Sequence, residues 1–127
     1  MLAIDTNVFV RLIAKDDATQ LRHAMERTMK GAWVSHLVLA ESVWVLTTHY
    51  ALSRSEVAAA LDTLLEHSGV AFEERNVVRA ALQTYRQRRA IDFSDCLILE
   101  IARKAGHSPL GTFDRALAKL DGVELVA

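Results

Sequence analysis

Short apolar segments alternate along the chain with longer segments of helical periodicity. Apolar runs of three or four residues bounded by polar residues predict strands, and apolar residues spaced by three and four predict amphipathic helices. The predicted strands are Met1–Ile4, Ala32–Ser35, Val70–Phe72, Leu110–Thr112 and Val123–Val126. The predicted helices are a first one from Val8, then Lys15–Gly31, His36–Tyr50, Ser53–His67, Glu73–Ala90, Asp92–Ala105 and a short one that ends at Leu120. This alternation predicts a three-layer α/β/α fold around a central, mostly parallel sheet of four to five short strands.

The helix predicted over His36–Tyr50 is apolar on nearly all sides. Its core stripe is expected to consist of Leu39, Val43, Leu46 and Tyr50. A second apolar group of Leu37, Val38, Trp44 and Val45 surrounds Glu41. Such a helix is expected to be buried on both sides, by its own domain or by a partner. A carboxylate among apolar residues is costly unless it is paired, so Glu41 requires a salt bridge or a metal.

Two other helices are predicted to bury one face each. For the helix that begins at Asp92, the buried face is expected to contain Leu97, Ile98, Ile101, Ala102 and Ala105. On the polar helix that ends near Gly31, the basic residues Arg22, His23, Arg27 and Lys30 are expected to form a solvated face.

Length and composition place the chain among ordinary globular domains. With 127 residues it suits a single domain with one core. A single cysteine excludes an internal disulfide, and no segment has the composition of a signal peptide or the length of a membrane span. A cytoplasmic location is therefore expected. Because the net charge is only −1, a nucleic acid would have to be bound by a local basic patch.

Four acidic residues stand at comparable places in the predicted fold. Asp5 and Asp114 follow strands, whereas Glu41 and Asp95 lie in the first two turns of helices. In a parallel sheet these positions share one edge, so the carboxylates are expected to converge. Their mutual repulsion calls for a divalent cation, and oxygen ligands favour Mg²⁺ or Mn²⁺. A metal that activates water and neutralises a phosphodiester indicates phosphodiester hydrolysis.

Each acid also has a simpler interpretation. Asp5 can be a helix N-cap followed by the turn residues Thr6 and Asn7. Asp92 can cap its helix, and Asp95 can complement the dipole of the same helix. For Asp92 and Asp95 taken alone the simpler role is favoured, whereas Asp5-Thr6-Asn7 alone does not decide between the two. The presence of the three other acids, Asp5, Glu41 and Asp114, changes the balance.

The acidic motifs resemble those of the PIN domain. The matching segments are Asp5-Thr6-Asn7, Leu39-Ala40-Glu41, Asp92-Phe93-Ser94-Asp95-Cys96-Leu97-Ile98 and Thr112-Phe113-Asp114-Arg115. They extend the match from Leu2 to about Val126, which is essentially the whole chain, as a single PIN domain over residues 1–127. Within that family, the length and the Asp-Phe-x-Asp and Thr-Phe-Asp forms resemble the VapC toxins of bacterial toxin–antitoxin pairs. Gly111 departs slightly from the bulkier residue expected at its position.

The resemblance implies an endoribonuclease toxin that depends on Mg²⁺ or Mn²⁺, forms a homodimer and is inhibited by a small VapB antitoxin. It implies catalytic roles for Asp5, Glu41, Asp95 and Asp114, of which Asp5, Asp95 and Asp114 would bind metal. Supporting roles fall to Thr6, Asn7, Asp92 and Thr112.

The basic residues Arg86, Arg88 and Arg89 directly precede the acidic pair. Basic residues at a helix end usually complement the dipole, but here they are also suited to bind the RNA backbone.

Other functions remain open from the sequence. A phospho-aspartate phosphatase would need a second acid where Asn7 stands, and a receiver domain would need paired acids near the first strand. A catalytically idle PIN-like binding module and a DNA-directed PIN or flap-type nuclease are the remaining alternatives, although 127 residues leave little room for the insertions that thread DNA.

Overall fold

Strands and helices alternate along the chain much as the pattern predicts. The computed structural model describes residues 1–127. The strands are β1 (Leu2–Ala3), β2 (Ala32–Val34), β3 (Val70–Phe72), β4 (Leu110–Thr112) and β5 (Val123–Leu125). The α-helices are α1 (Thr6–Ala14), α2 (Ala18–Met29), α3 (His36–Thr48), α4 (Arg54–Glu66), α5 (Arg75–Gln87) and α6 (Phe93–Lys104), and Leu117–Lys119 forms a 3₁₀ helix. None of the helices combines the length and apolarity needed to cross a membrane.

All the strands pair in parallel, in two sheets. The first has the order β1-β2-β3, and the second consists of β4 and β5. The mixed α/β fold with short parallel strands is thereby confirmed. The division into two ladders differs from the single central sheet that was expected. Strands of two or three residues form few ladder hydrogen bonds each, so continuous pairing across five of them is not enforced by the backbone.

The backbone groups into two compact units, an N-terminal unit of Met1–Arg75 and a C-terminal unit of Asn76–Ala127. In the N-terminal unit, helices α1 and α2 pack together and α1 also packs on α3. The rings of Phe9 and Phe72 meet edge to face with centroids 6.1 Å apart. The same unit fully buries Leu39, Leu46, Leu61 and Leu65. Burial of large apolar side chains of this kind is the main stabilising contribution to such a core.

Side-chain caps begin the helices of the N-terminal unit. Asp5 accepts a hydrogen bond from the Val8 amide at the start of α1, and Asp17 caps α2 in the same way. Ser35 caps α3. Ser53 and Glu56 form a complete capping box at α4, and hydrogen bonding from Ser53 lowers the pKa of Glu56.

Two glycines of this unit are required by the backbone around them. Gly31 follows α2 with φ of 97°, a left-handed conformation that L side chains rarely adopt. At Gly69 an added Cβ would lie 2.1 Å from the Thr28 carbonyl oxygen. Gly69 therefore lets the chain before β3 approach the end of α2.

The C-terminal unit has its own core between α5 and α6. The rings of Tyr85 and Phe93 meet edge to face with centroids 5.4 Å apart. The buried face of α6 consists of Phe93, Cys96, Leu97 and Leu99. The predicted face was wrong in part, because Ile98 is 49% and Ile101 is 37% exposed. Once Phe93 packs on Tyr85 at its start, the helix turns these isoleucines outward.

Helix α3 is buried on one side only. Leu39, Val43 and Leu46 lie in the core, whereas Leu37 is 77% and Trp44 is 60% exposed. Glu41 is exposed between them, so the expectation that it is enclosed by apolar residues was wrong for this chain. Helices α1 and α4 pack against α3 and leave Leu37 and Trp44 exposed.

The capping box of α4 provides a test of the local stability. We expect Ser53→Ala to lower the free energy of unfolding by about 1 kcal/mol, because the Glu56 amide loses its side-chain acceptor. The matched control is Ser55→Ala, an exposed serine of the same helix that makes no cap bond. Urea denaturation of both variants would measure the difference, and equal stabilities would show that the box contributes nothing.

Candidate active site

Asp5 stands at the junction of β1 and α1. One carboxylate oxygen, Oδ1, accepts from the Val8 amide at 3.1 Å. The residue is exposed, and the structure gives its second oxygen no protein partner. The capping interpretation of Asp5 is confirmed, but capping occupies only half of the carboxylate.

A side-chain hydrogen bond links α1 with α3 beside Asp5. The hydroxyl of Thr6 donates to Oε1 of Glu41. Because Thr6 is the first residue of α1 and Asp5 is its N-cap, this bond brings Glu41 to the end of α1 that carries Asp5. Thr6, expected to support Asp5, therefore contacts Glu41 instead. Asn7 is exposed next to it.

Asp92 and Asp95 begin α6 in the C-terminal unit. Asp92 occupies the N-cap position without a side-chain cap bond, so its predicted capping role is limited to its backbone carbonyl. Burial raises the pKa of Asp95, and the negative charges of Asp92 and Asp114 raise it further. A carboxylate that feels two like charges is destabilised in its ionised form.

Asp114 follows β4 and is held by the loop after it. Its Oδ1 accepts from the amides of Ala116 and Leu117 at 2.8 and 3.1 Å. The hydroxyl of Thr112 accepts from the Asp114 amide at 3.0 Å. Thr112 thus fixes the backbone at Asp114, which gives a physical basis for its predicted supporting role. The carboxylate again leaves one oxygen without a protein partner.

The acids suit a hard divalent cation by their chemistry. The ligand atoms that they offer are carboxylate oxygens, which Mg²⁺ and Mn²⁺ prefer over softer ligands. Asp95 has like charges near it and no basic residue among the causes of its pKa shift. No group of three or more acidic, histidine or cysteine side chains is already arranged to hold an ion.

Arg86, Arg88 and Arg89 are all exposed at and just beyond the end of α5. The helix ends at Gln87, three residues before the predicted end, so Arg88 and Arg89 lie in the turn that leads to α6. Their proposed contact with RNA stays a prediction.

One feature near Asp5 is absent from the sequence prediction. Arg11 donates to the Gln20 amide oxygen at 2.6 Å, to Asp16 at 3.0 Å and to the Tyr50 hydroxyl at 2.7 Å. These bonds connect α1 with the start of α2 and with Tyr50, two positions after the end of α3. No motif marks Arg11, because its partners are 5, 9 and 39 residues away in sequence. One signal could have shown that Arg11 lies on the same face of α1 as Asn7, namely their spacing of four residues, which is about one helical turn.

The comparison with protein families gives one match. The model of the PIN domain matches residues 2–123. The chain belongs to the PIN domain family. The match includes Asp5, Glu41, Asp95 and Asp114 and extends over both compact units. No curated protein matches this PIN domain. PIN domains are generally nucleases that use divalent metals, which confirms the expected class of chemistry but not the ion or the substrate.

The charge around Asp95 gives a pH-dependent prediction. Because its pKa is raised on folding, ionised Asp95 destabilises the fold, and the stability that it contributes falls as pH rises through that raised pKa. We expect Asp95→Asn to raise Tm at neutral pH in EDTA by about 2 °C, after allowance for solvent screening. The gain should vanish below the ordinary pKa of aspartate, where both proteins are neutral at this position.

Thermal unfolding monitored by circular dichroism at several pH values would measure this effect. Glu124→Gln is the matched control, since Glu124 is an exposed carboxylate of the same unit and no contact of its side chain is seen. A gain that persists at acidic pH would trace to packing rather than to charge.

Proposed function

We propose that this PIN domain is an endoribonuclease that depends on Mg²⁺ or Mn²⁺ and acts as the toxin of a toxin–antitoxin pair. The observation that carries the proposal is that the PIN match includes Asp5 and Asp114, and that each of them is held by backbone amides through Oδ1 and keeps its other carboxylate oxygen free. The pKa of Asp95 is also raised, by burial and by the negative charges of Asp92 and Asp114. The chain belongs to a nuclease family, and in a nuclease such carboxylates can bind a divalent cation. A cytoplasmic location follows from the proposed substrate, cellular RNA.

In this proposal Asp5, Asp95 and Asp114 bind the cation. Each has at least one carboxylate oxygen that no protein group uses. A bound divalent cation would lower the pKa of a water molecule and neutralise charge on the phosphodiester. The assignment of all three residues to one cation rests on the sequence pattern and the family.

Glu41 is assigned the proton transfer. Its Oε1 accepts the Thr6 hydroxyl, which orients the carboxylate and leaves Oε2 available. We assign to Oε2 the proton of the attacking water, since a positioned carboxylate within hydrogen-bond reach is a competent general base. Asp92 supports Asp95 by the negative charge that it places near it. Arg86, Arg88 and Arg89 would bind the RNA backbone without reading its sequence.

The toxin role brings a proposed partner for α3. Leu37, Glu41 and Trp44 are spaced by four and three residues, so an acid lies between two exposed apolar side chains on one helix face. An amphipathic segment of a VapB-type antitoxin would cover such a face, and a basic residue of that segment would pair with the acid. A homodimer of the toxin is part of the same proposal.

The catalytic proposal is tested by charge removal. We expect Asp5→Asn and Asp95→Asn each to reduce cleavage of single-stranded RNA in Mg²⁺ or Mn²⁺ by about 100-fold or more, because a ligand charge is lost. Asp92→Asn should have a smaller effect. Glu26→Gln is the control, an exposed carboxylate outside the candidate site. The measurement is gel analysis of a labelled RNA and of the DNA of the same sequence.

The outcomes separate the alternatives. Full activity of Asp95→Asn, or cleavage in EDTA, would overturn the metal site. Cleavage of DNA alone would make the chain a DNA-directed nuclease, and binding of RNA without cleavage in any metal would make it an idle PIN-like module.

The antitoxin proposal is tested at Trp44. We expect Trp44→Ser to weaken binding of the small protein encoded in the neighbouring reading frame by about tenfold or more, as for other exposed aromatic anchors. Met29→Ser is the matched control, because it also removes an exposed apolar side chain from a helix. Calorimetric titration would give the affinities and circular dichroism the folded state. Equal affinities of folded Trp44→Ser and the parent would place the antitoxin elsewhere.

A further inference from the structure

A cavity of about 320 Å³ opens between α1 and α2 of the N-terminal unit. Asp5 and Asn7 line it, so it adjoins one of the acids assigned to the reaction. Its volume lies at the lower end of the range of small-molecule pockets. The cavity is therefore suited to a single small unit of a larger ligand.

The wall that α2 contributes contains two basic side chains. Gln20, His23, Ala24 and Arg27 line the cavity from positions i, i+3, i+4 and i+7, which is one face of the helix. The side chains of His23 and Arg27 are exposed and have no hydrogen bond or ion pair with the protein. A guanidinium without a carboxylate partner beside a cavity is available to an anion.

The wall that α1 contributes is fixed in place. Arg11 also lines the cavity. Its hydrogen bond to Gln20 connects it with α2, and its bonds to Asp16 and Tyr50 connect it with the residues before α2 and after α3. A site whose walls are already braced loses little conformational entropy when a ligand binds. The bond to Gln20 also fixes its side-chain amide in the wall, and the amide nitrogen can donate to a ligand.

Most of the surface of the cavity is apolar. Leu2, Val8 and Ala24 contribute it, and Leu2 of β1 is 41% exposed. Basic groups and an apolar surface therefore meet in one small cavity. A free inorganic anion or an acidic peptide side chain would use the basic groups and leave the apolar wall uncovered. A nucleotide satisfies both, because it has an anionic phosphate and a base with an apolar face.

We propose that this cavity binds one nucleotide of the RNA next to the bond that is cut. Its phosphate contacts Arg27 and His23, and its base packs against Leu2, Val8 and Ala24. The proposal rests on the ribonuclease function and adds to it a subsite beside Asp5. The cavity holds the RNA beside Asp5 and takes no part in the chemistry itself.

Binding can be measured without cleavage. The probe is a fluorescent single-stranded oligouridylate, titrated with the full chain in EDTA and read by anisotropy at several salt concentrations. We expect Arg27→Ala to weaken binding about five- to tenfold and to reduce the slope of log K against log salt by about 1. His23→Ala should weaken binding less. Arg22→Ala is the matched control, because Arg22 is exposed on the same helix but does not line the cavity.

A second probe tests the base. The parent is expected to bind oligouridylate more tightly than an abasic oligomer of the same length, and Leu2→Ser should reduce that preference. Circular dichroism establishes that each variant is folded. No preference in the parent, or equal weakening by Arg22→Ala and Arg27→Ala, would overturn the subsite. Equal loss of oligouridylate and polyglutamate binding in Arg27→Ala would make the cavity a general anion site and would also overturn it.

The cleavage assay in Mg²⁺ separates this proposal from the one on which it rests. If the parent cleaves RNA and Arg27→Ala binds it as the parent does, the subsite is wrong and the ribonuclease function stands. If the parent neither binds nor cleaves RNA, both proposals fail.

Discussion

The parallel register of the first three strands determines where the candidate chemistry of the N-terminal unit lies. Leu2 pairs with Ala32, and Val34 pairs with Phe72, so the three strands run in one direction and end at one edge. The residues that follow them are Asp5, Ser35 and Glu73. Parallel strands place the ends of successive segments side by side, which is why open α/β sheets carry their ligand sites at the carboxyl edge. Without this register, Asp5 and the start of α3 would not share an edge.

The same edge shows why an acid after a strand is not sufficient to indicate catalysis. Glu73 follows β3 as Asp5 follows β1, yet its Oε1 accepts the amide of His36 at 2.8 Å and so satisfies the first residue of α3. That amide is one of the donors that a helix start leaves unpaired. Glu41, in contrast, lies within α3, and its side chain accepts a hydrogen bond from the Thr6 hydroxyl and from no backbone amide. The roles of the two glutamates differ because one satisfies a backbone group and the other does not.

Local signals predicted the elements well and their surroundings less well. The helix boundaries near Ser53 and Gly31 agree with the predicted ones, because capping and left-handed conformations depend on neighbouring residues only. The buried face of α6 could not be predicted, since Ile98 and Leu99 are equally apolar and only the packing of Phe93 on Tyr85 decides which of them is buried. The motifs likewise identified the acids, but the Arg11 network joins residues far apart in sequence and leaves no local pattern.

Capping and metal binding are compatible roles for the same aspartate. An N-cap uses one carboxylate oxygen as an acceptor, and a carboxylate has a second oxygen with its own lone pairs. Asp5 and Asp114 both use Oδ1 for backbone amides and keep the other oxygen free. The amide bonds fix the orientation of each carboxylate, which a preorganised metal ligand also needs. A capping acid at a helix start is therefore better oriented to bind a cation than an acid on a mobile side chain. The sequence pattern of strand, acid and helix favours both roles, because the backbone amides that the acid caps also fix the direction of its free oxygen.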